Sequence, residues 1–133
     1  MKTETLFLNQ EQVLRIHAGS IQKHGGLDGL RDAGLLASAL SMPQAKFGGQ
    51  FLHDGISAMA AAYLFHLCKN HPFADGNKRT AHGTAVTFLL INGYNITTDA
   101  DETERMVLRV ADGTISKQEL TKIFSKIVKR EKT

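Results

Sequence analysis

The stretch around which the rest of this chain is organised reads His71-Pro72-Phe73-Ala74-Asp75-Gly76-Asn77-Lys78-Arg79-Thr80. It brings an imidazole, a carboxylate, a carboxamide, an ammonium and a guanidinium close together, and a glycine separates its first half from a new helical pattern. Polar loops that are held by a rigid scaffold commonly carry function. The stretch therefore predicts a chemically active loop.

Apolar helices are predicted on both sides of this loop. From Asp54 or Ser57 to about Asn70, apolar residues recur at helical spacing, and alanines and aromatic residues fill the other faces. A helix that is apolar nearly all round belongs at the centre of a domain. From Asn77 to about Asn92 a second segment has the same character. The loop therefore connects two central helices.

The remaining segments predict shorter elements around these two helices. Capping residues and apolar periodicity indicate helices over residues 10–23, 32–42 and 101–110, and a last helix that begins after Ser116. Residues 5–8 and 94–98 alternate weakly and predict a small ribbon of two strands. The sum is a single all-α domain over residues 1–133, a compact helical bundle of about six helices with at most this minor ribbon.

Two further segments are predicted to be irregular. Residues 24–31 are dense in glycine, and helix termination explains this better than a phosphate cradle, because the glycine spacing of nucleotide-binding loops is absent. Residues 46–53 read as a flexible loop whose Phe47 and Phe51 are expected to fold back onto the core, with partner contact as the alternative. His66 is interpreted as a partly buried structural histidine.

Composition narrows the class of protein. The chain has 133 residues, of which 42% are hydrophobic and 22% charged, as in ordinary globular domains. It shows neither an apolar run of membrane-spanning length nor a secretory signal pattern, so the cytoplasm is the expected location. The net charge of +3 comes largely from basic residues near the C-terminus. No base-reading motif accompanies them, so neither nucleic acid nor a membrane is an expected partner.

The charges of the loop indicate an anion site. A helix N-terminus carries a partial positive charge and unpaired N–H groups, yet the first turn after Gly76 contains Lys78 and Arg79. This costs about 0.3 to 1 kcal/mol per charge unless an anion binds. Phosphate fits best, because Arg79 offers a bidentate fork, Lys78 a point charge, and Asn77 neutral donors. Gly76 would let the backbone approach it closely.

The same loop offers a metal ligand and a base. One carboxylate, together with phosphate oxygens and waters, is a common way to hold Mg²⁺, which suits Asp75. His71 would then remove a proton from an attacking hydroxyl, and Phe73 is expected to point inward. The alternative is an ordinary helix-capping turn with Lys78 and Arg79 on the surface.

The loop closely resembles the signature of the Fic/Doc family, His-x-Phe-x-(Asp/Glu)-Gly-Asn-(Gly/Lys)-Arg, with every fixed position present. Within the family, the resemblance is to the Doc (death-on-curing) branch. It extends to His17, to Gly25-Gly26-Leu27 with Gly29, and to the helix over residues 35–40. The resemblance thus covers most of the chain.

Membership of the Doc branch implies a toxin of a toxin–antitoxin pair. Such toxins are protein kinases that use ATP and Mg²⁺ to phosphorylate a threonine of elongation factor EF-Tu, which arrests translation, and a Phd-type antitoxin neutralises them. The resemblance implies that His71 is the base and Asp75 the Mg²⁺ ligand. It implies that Asn77, Lys78 and Arg79 bind the phosphates of the nucleotide beside Gly76, and that Lys69, two residues before His71, contacts nucleotide or substrate.

Two positions depart from the AMP-transferring members of the family. Lys78 stands where those members have glycine, and His82 stands where they have a second arginine. Both departures favour phosphate transfer over AMP transfer. Transfer of AMP to a protein hydroxyl remains one alternative, and a non-catalytic helical binding module remains another.

Overall fold

The computed structural model describes residues 4–131, and these form one bundle around two central helices. Short strands stand at its periphery. In chain order the elements are α1 (Gln10–His24), α2 (Ala33–Ser41), β1 (Lys46–Phe47), β2 (Gln50–Phe51), α3 (Ile56–Asn70), α4 (Asn77–Ile91), β3 (Tyr94–Ile96), α5 (Ala100–Ala111), α6 (Lys117–Ile127) and β4 (Val128–Arg130). The predicted bundle of about six helices is confirmed.

Helix α3 is the centre of the bundle, as its all-round apolar pattern predicts. It packs against α2, α4, α5 and α6. Ala60, Ala61 and Ala62 have no exposed surface, and their small side chains let neighbouring helices approach closely. Helix α4 lies against α3 on one side and α1 on the other. The loop between α3 and α4 is therefore anchored in the most buried part of the molecule.

The predicted pairing of residues 5–8 with residues 94–98 is wrong. Residues 4–9 form no strand, and β3 pairs antiparallel with β4 instead. Side chains supply the hydrogen bonds that a strand would have made: Leu8 N–H donates to Tyr63 Oη at 2.9 Å, and Leu6 N–H donates to Asn92 Oδ1 at 2.9 Å. Burial raises the pKa of Tyr63 to about 12, so its hydroxyl is neutral at physiological pH.

The prediction of a flexible loop over residues 46–53 is also corrected. Strands β1 and β2 pair as a short antiparallel hairpin. Phe47 is 84% exposed and therefore does not fold back onto the core. Phe51 is 37% exposed, and its ring lies 5.6 Å from that of Phe7. The backbone groups of the two strands pair with each other in this hairpin, and the hairpin holds Phe47 at the surface.

The boundaries of the other helices follow their capping residues. Asp32 accepts a hydrogen bond from Leu35 N–H at the start of α2, and Ser116 forms a capping box at the start of α6. Helix α1 ends at His24 because Gly25 follows with a φ of 81°. Among residues 4–131, no helix is long and apolar enough to cross a membrane.

Candidate functional site

The central loop begins with an unusual backbone conformation at His71. This residue caps the C-terminus of α3 with φ 50° and ψ 55°, and its N–H donates to Leu67 O. It is the one non-glycine residue with positive φ among residues 4–131. A left-handed conformation at such a residue persists only where the surroundings hold it, and this kind of strain clusters at functional sites.

A segment formed by residues 29–32 holds the loop from outside. The backbone N–H groups of Arg31 and Asp32 both donate to Pro72 O, at 2.8 and 3.0 Å. Ala74 N–H donates to Gly29 O at 3.0 Å. These bonds satisfy polar groups of the loop that would otherwise lack partners. The glycine-dense stretch therefore does more than end α1, because it supplies a wall for the loop.

A buried aromatic residue anchors the loop from inside. Phe73 is 1% exposed, which confirms that it points inward. The ring of His17 stacks on the ring of Phe73, with centroids 3.8 Å apart and planes 6° apart. His17 is itself 3% exposed. The Nε2 atom of His17 lies 2.8 Å from Asp75 O. Since a carbonyl only accepts, Nε2 carries the proton in this contact.

Gly76 is fixed by its conformation and by its surroundings. It is the N-cap of α4 with a φ of 76°, a region that side chains rarely adopt. A Cβ atom here would also meet Ile21 Cδ1 at 3.2 Å and the His17 ring at 3.7 Å. Glycine therefore lets the chain turn into α4 close against Ile21 and His17 of α1.

The N-terminus of α4 has no side-chain cap, and no acidic residue stands in its first turn. It opens into a cleft of about 1100 Å³ that is lined by residues of α1, the central loop, α4, β3 and α5. Lys78 and Arg79 are exposed at this helix end. An uncapped helix N-terminus with two cations is a ready anion-binding arrangement.

Six of the seven predicted site residues line this one cleft. They are His71, Asp75, Gly76, Asn77, Lys78 and Arg79. Lys69 is not among the lining residues. Its ammonium lies 5.9 Å from the ring centroid of Phe65, and 3.4 Å from the position that a Cβ of Gly113 would take, at the turn between α5 and α6. Its assignment to nucleotide binding stays a prediction.

Asp75 has the properties of a ligand for a hard cation. Its Oδ2 accepts from Leu27 N–H at 3.2 Å and its Oδ1 from Gly76 N–H at 2.9 Å. These two hydrogen bonds, with a smaller contribution from nearby Arg79 and His17, lower the pKa of the carboxyl group. The side chain is exposed and ionised at neutral pH, and both oxygens keep lone pairs. It therefore fits a Mg²⁺ ion that is shared with phosphate oxygens and water.

Two further histidines face the cleft. His82 is half-buried, and burial lowers its pKa. His24 lies at the end of α1, where desolvation, then the charges of Arg79 and Lys23, lower its pKa. Both imidazoles are neutral at physiological pH in the unliganded cleft, so the fixed positive charge there comes from Lys23, Lys78 and Arg79.

His17 and Arg31 touch the loop but were not predicted as site residues. Arg31 Nε donates to His71 O at 3.0 Å, and its Nη2 donates to His71 O and Asn70 O. In the sequence, His17 belongs to the stretch of family resemblance but has no predicted role, and Arg31 stands at the end of a glycine-dense loop. Since both bind backbone carbonyls far away in the chain, no local pattern reveals these contacts.

Fold and site together define a helical domain whose central loop carries a histidine and a carboxylate and leads into a helix N-terminus with two cations. Residues 7–89 match the sequence profile of the Fic/DOC family. The chain is 45% identical over 97 residues to "Toxin Doc" of Mycolicibacterium smegmatis, which covers 73% of this chain and 72% of that protein. It is 31% identical over 109 residues to "Protein kinase doc" of Escherichia phage P1, covering 82% and 85%. The chain belongs to the Fic/Doc family.

Proposed function

We propose that this protein is the toxin of a toxin–antitoxin pair and acts as a protein kinase that uses ATP and Mg²⁺. The observation that carries the proposal is the meeting, in one cleft, of His71, Asp75 and the uncapped N-terminus of α4. This arrangement offers a base, a cation ligand and a phosphate cradle within one loop. Phosphoryl transfer needs little more than positioning and charge stabilisation of this kind.

Each group has a defined role in the proposed reaction. His71 accepts the proton of the hydroxyl that attacks the γ-phosphorus of ATP, and the bond between that phosphorus and the bridging oxygen of ADP breaks. The first amides of α4 donate to phosphate oxygens, and Arg79 and Lys78 neutralise the charge that spreads over them. Asp75 would hold Mg²⁺, which supplies further neutralisation of the phosphates when bound.

The names of the relatives support this choice of reaction. One relative is named a toxin and the other a protein kinase. Lys78 favours the same choice, because its side chain fills space at the helix end where a glycine would leave room. We propose a threonine of EF-Tu as the acceptor in the cytoplasm, and a Phd-type antitoxin as the neutralising partner.

Labelled ATP tests the reaction directly. Purified EF-Tu is incubated with the protein, MgCl₂ and ATP that carries ³²P at either the γ- or the α-position. Label from the γ-position only, on a threonine, is the expected result, and His71→Ala should abolish it. His66→Gln is the matched control, because His66 does not line the cleft. Label from the α-position would instead establish AMP transfer. No label from either position would reject EF-Tu kinase activity.

Expression in cells tests the biological role. The proposed toxin should arrest growth when it is produced alone, and His71→Ala should relieve the arrest at equal protein level. Co-production of a small protein encoded beside it should restore growth. Harmless accumulation of the folded wild-type protein would count against the toxin assignment.

A further inference from the structure

The side chains of Arg31 and His17 bind the backbone of the central loop at its two ends. The Arg31 side chain contacts the beginning of the loop, at the carbonyl groups of His71 and Asn70, and the Arg31 backbone N–H, which a substitution leaves in place, donates to Pro72 O. His17 contacts it through Phe73 and the Asp75 carbonyl. The backbone of the buried Phe73 is fixed separately by Asn77. The two ends of the loop are therefore held by different groups.

The Arg31 contact acts on the strained residue of the loop. The guanidinium lies at the last carbonyls of α3, where the helix dipole places partial negative charge. Two of its N–H groups reach His71 O, so they constrain the peptide that follows the left-handed φ and ψ of His71. The direction of the imidazole from its Cα depends on this backbone conformation. Loss of Arg31 would free His71 to relax towards a more common conformation.

The His17 contact acts on the other end. Its Nε2–H fixes the carbonyl of Asp75, and the peptide plane of Asp75 and Gly76 is fixed with it. That plane joins Asp75, which carries the carboxylate, to Gly76, the N-cap of α4. Asp28 Oδ1 lies 3.9 Å from His17 Nδ1, on the other side of the ring from Asp75 O. The imidazole is buried, so its orientation is defined by packing as well as by the hydrogen bond.

We propose that Arg31 and His17 are positioning residues with separable effects on the reaction. Arg31 orients His71 and so sets the rate of the chemical step. His17 orients Asp75 and the α4 amides and so sets the affinity for magnesium and nucleotide. The assignment of Arg31 to the chemical step and of His17 to the affinity for magnesium and nucleotide rests on the proposed function. The two positioning contacts themselves do not rest on it.

Kinetics with ATP, MgCl₂ and EF-Tu test the separation. Arg31→Met should lower kcat about tenfold to a hundredfold and leave KM for ATP within twofold, since misplacement of a reacting group by about 1 Å costs this much. His17→Phe keeps a stacked ring but removes the donor. It should raise KM for ATP and the dissociation constant of Mg-ATP about tenfold, with a smaller effect on kcat.

Conservative variants distinguish positioning from general support of the fold. Arg31→Lys and His17→Gln each retain a donor, and each should recover part of its own parameter. Arg15→Met is the control for loss of an exposed arginine, because Arg15 pairs with Glu11 on the outer surface of α1. The proposal would be overturned if Arg31→Met and His17→Phe each lost kcat and Mg-ATP affinity to the same extent, in proportion to their loss of thermal stability.

Backbone amide NMR spectra decide the positioning contacts without any activity. Arg31→Met should shift the signals of Asn70 and His71, whose carbonyl groups it binds, more than those of Gly76 and Lys78. His17→Phe should do the reverse. If the wild-type protein neither binds ATP nor labels EF-Tu, the proposed function fails while these shifts still test the contacts. Identical shift patterns from the two variants would refute separate positioning.

Discussion

The side-chain amide of Asn77 forms both of its hydrogen bonds with the backbone of Phe73. Oδ1 accepts from Phe73 N–H at 2.9 Å, and Nδ2 donates to Phe73 O at 2.9 Å. Asn77 is 5% exposed and is the first residue of α4, so this pair locks the loop onto the helix that follows it. The phosphate-binding role predicted for Asn77 stays a prediction.

Asn77→Ala should destabilise the protein and loosen the loop. It leaves a buried N–H and a buried C=O of Phe73 without partners, at about 1 to 3 kcal/mol for each group. Urea unfolding should show the loss as a lower midpoint with an unchanged slope. Asn92→Ala is the comparison for loss of an asparagine that binds backbone, because the Asn92 side chain hydrogen-bonds to the backbone of Leu6 far from the cleft. If Asn77→Ala unfolded at the wild-type midpoint, the lock between Asn77 and Phe73 would be energetically irrelevant.

Gly26→Ala should weaken magnesium-dependent nucleotide binding. A Cβ at Gly26 would lie 2.7 Å from Asp75 Oδ2, so the carboxylate must move. Calorimetric titration with Mg-ATP should show affinity lowered about tenfold, because a cation ligand would be displaced by about 1 Å.

Gly25→Ala is the matched control for this change. Both glycines have positive φ, 81° at Gly25 and 113° at Gly26, so both substitutions strain the backbone. A Cβ at Gly25, however, would meet nothing within 4 Å. Equal losses of affinity in the two variants would mean that backbone strain, and not contact with Asp75, is responsible.

Thr84→Val should stabilise the protein. Thr84 has no exposed surface, and its hydroxyl has no hydrogen-bond partner among residues 4–131. Valine keeps the shape and removes a desolvated polar group, which should raise the free energy of unfolding by about 1 kcal/mol. Differential scanning calorimetry should show a higher melting temperature. Thr84→Ser keeps the hydroxyl and loses the methyl group, so it should lower that temperature, and stabilisation by serine would contradict the argument.

Stability should rise with pH between about 4 and 6.5 because of a histidine cluster. Lys117 Nζ lies 3.0 Å from His53 Nε2 and 3.2 Å from His66 Nε2, so both rings accept and are neutral. Burial, and then the charge of Lys117, lower the pKa of His66 from 6.5 to about 4. The unfolded chain therefore binds more protons in this window. The stability that neutral His66 contributes is complete above its pKa in the unfolded chain, and it is lost as the pH falls towards its pKa in the folded protein.

Urea midpoints at pH 5 and pH 7.5 measure this dependence. The wild-type protein should be more stable at pH 7.5, and His66→Gln should show a smaller difference between the two values. His24→Gln should keep most of the wild-type difference, since His24 lies outside the cluster. An unchanged difference in His66→Gln would show that His66 does not couple protonation to folding.

The sequence predicts local features of this fold well. Apolar periodicity at α3 and α4 identifies the central helices, because a helix buried on every side has to be apolar on every side. Caps such as Asn9 and Ser116 mark helix starts through contacts within three residues. The density of charge after Gly76 indicates an anion site, since two cations at a helix N-terminus lack local compensation.

Pairings between distant segments were predicted less well. The weak alternation of residues 5–8 indicated a strand, but Tyr63 and Asn92 satisfy that segment with side chains. Strand β4 pairs with β3 although its basic residues read as the end of a helix. Period-two patterns show which residues suit a sheet, and not which strands meet.

Periodicity and capping along short stretches identify the central loop and the helices that carry it, because each of these signals depends on neighbouring residues. How the loop is held is seen in contacts between distant segments: His17 binds Asp75 O, Arg31 binds His71 O, and the absence of a Cβ at Gly26 leaves room for the Asp75 carboxylate. Each of these contacts joins a side chain or a Cβ position to a backbone or carboxylate group at least 40 positions away. A carbonyl oxygen is present at every residue, so no sequence pattern shows which one a distant donor will reach.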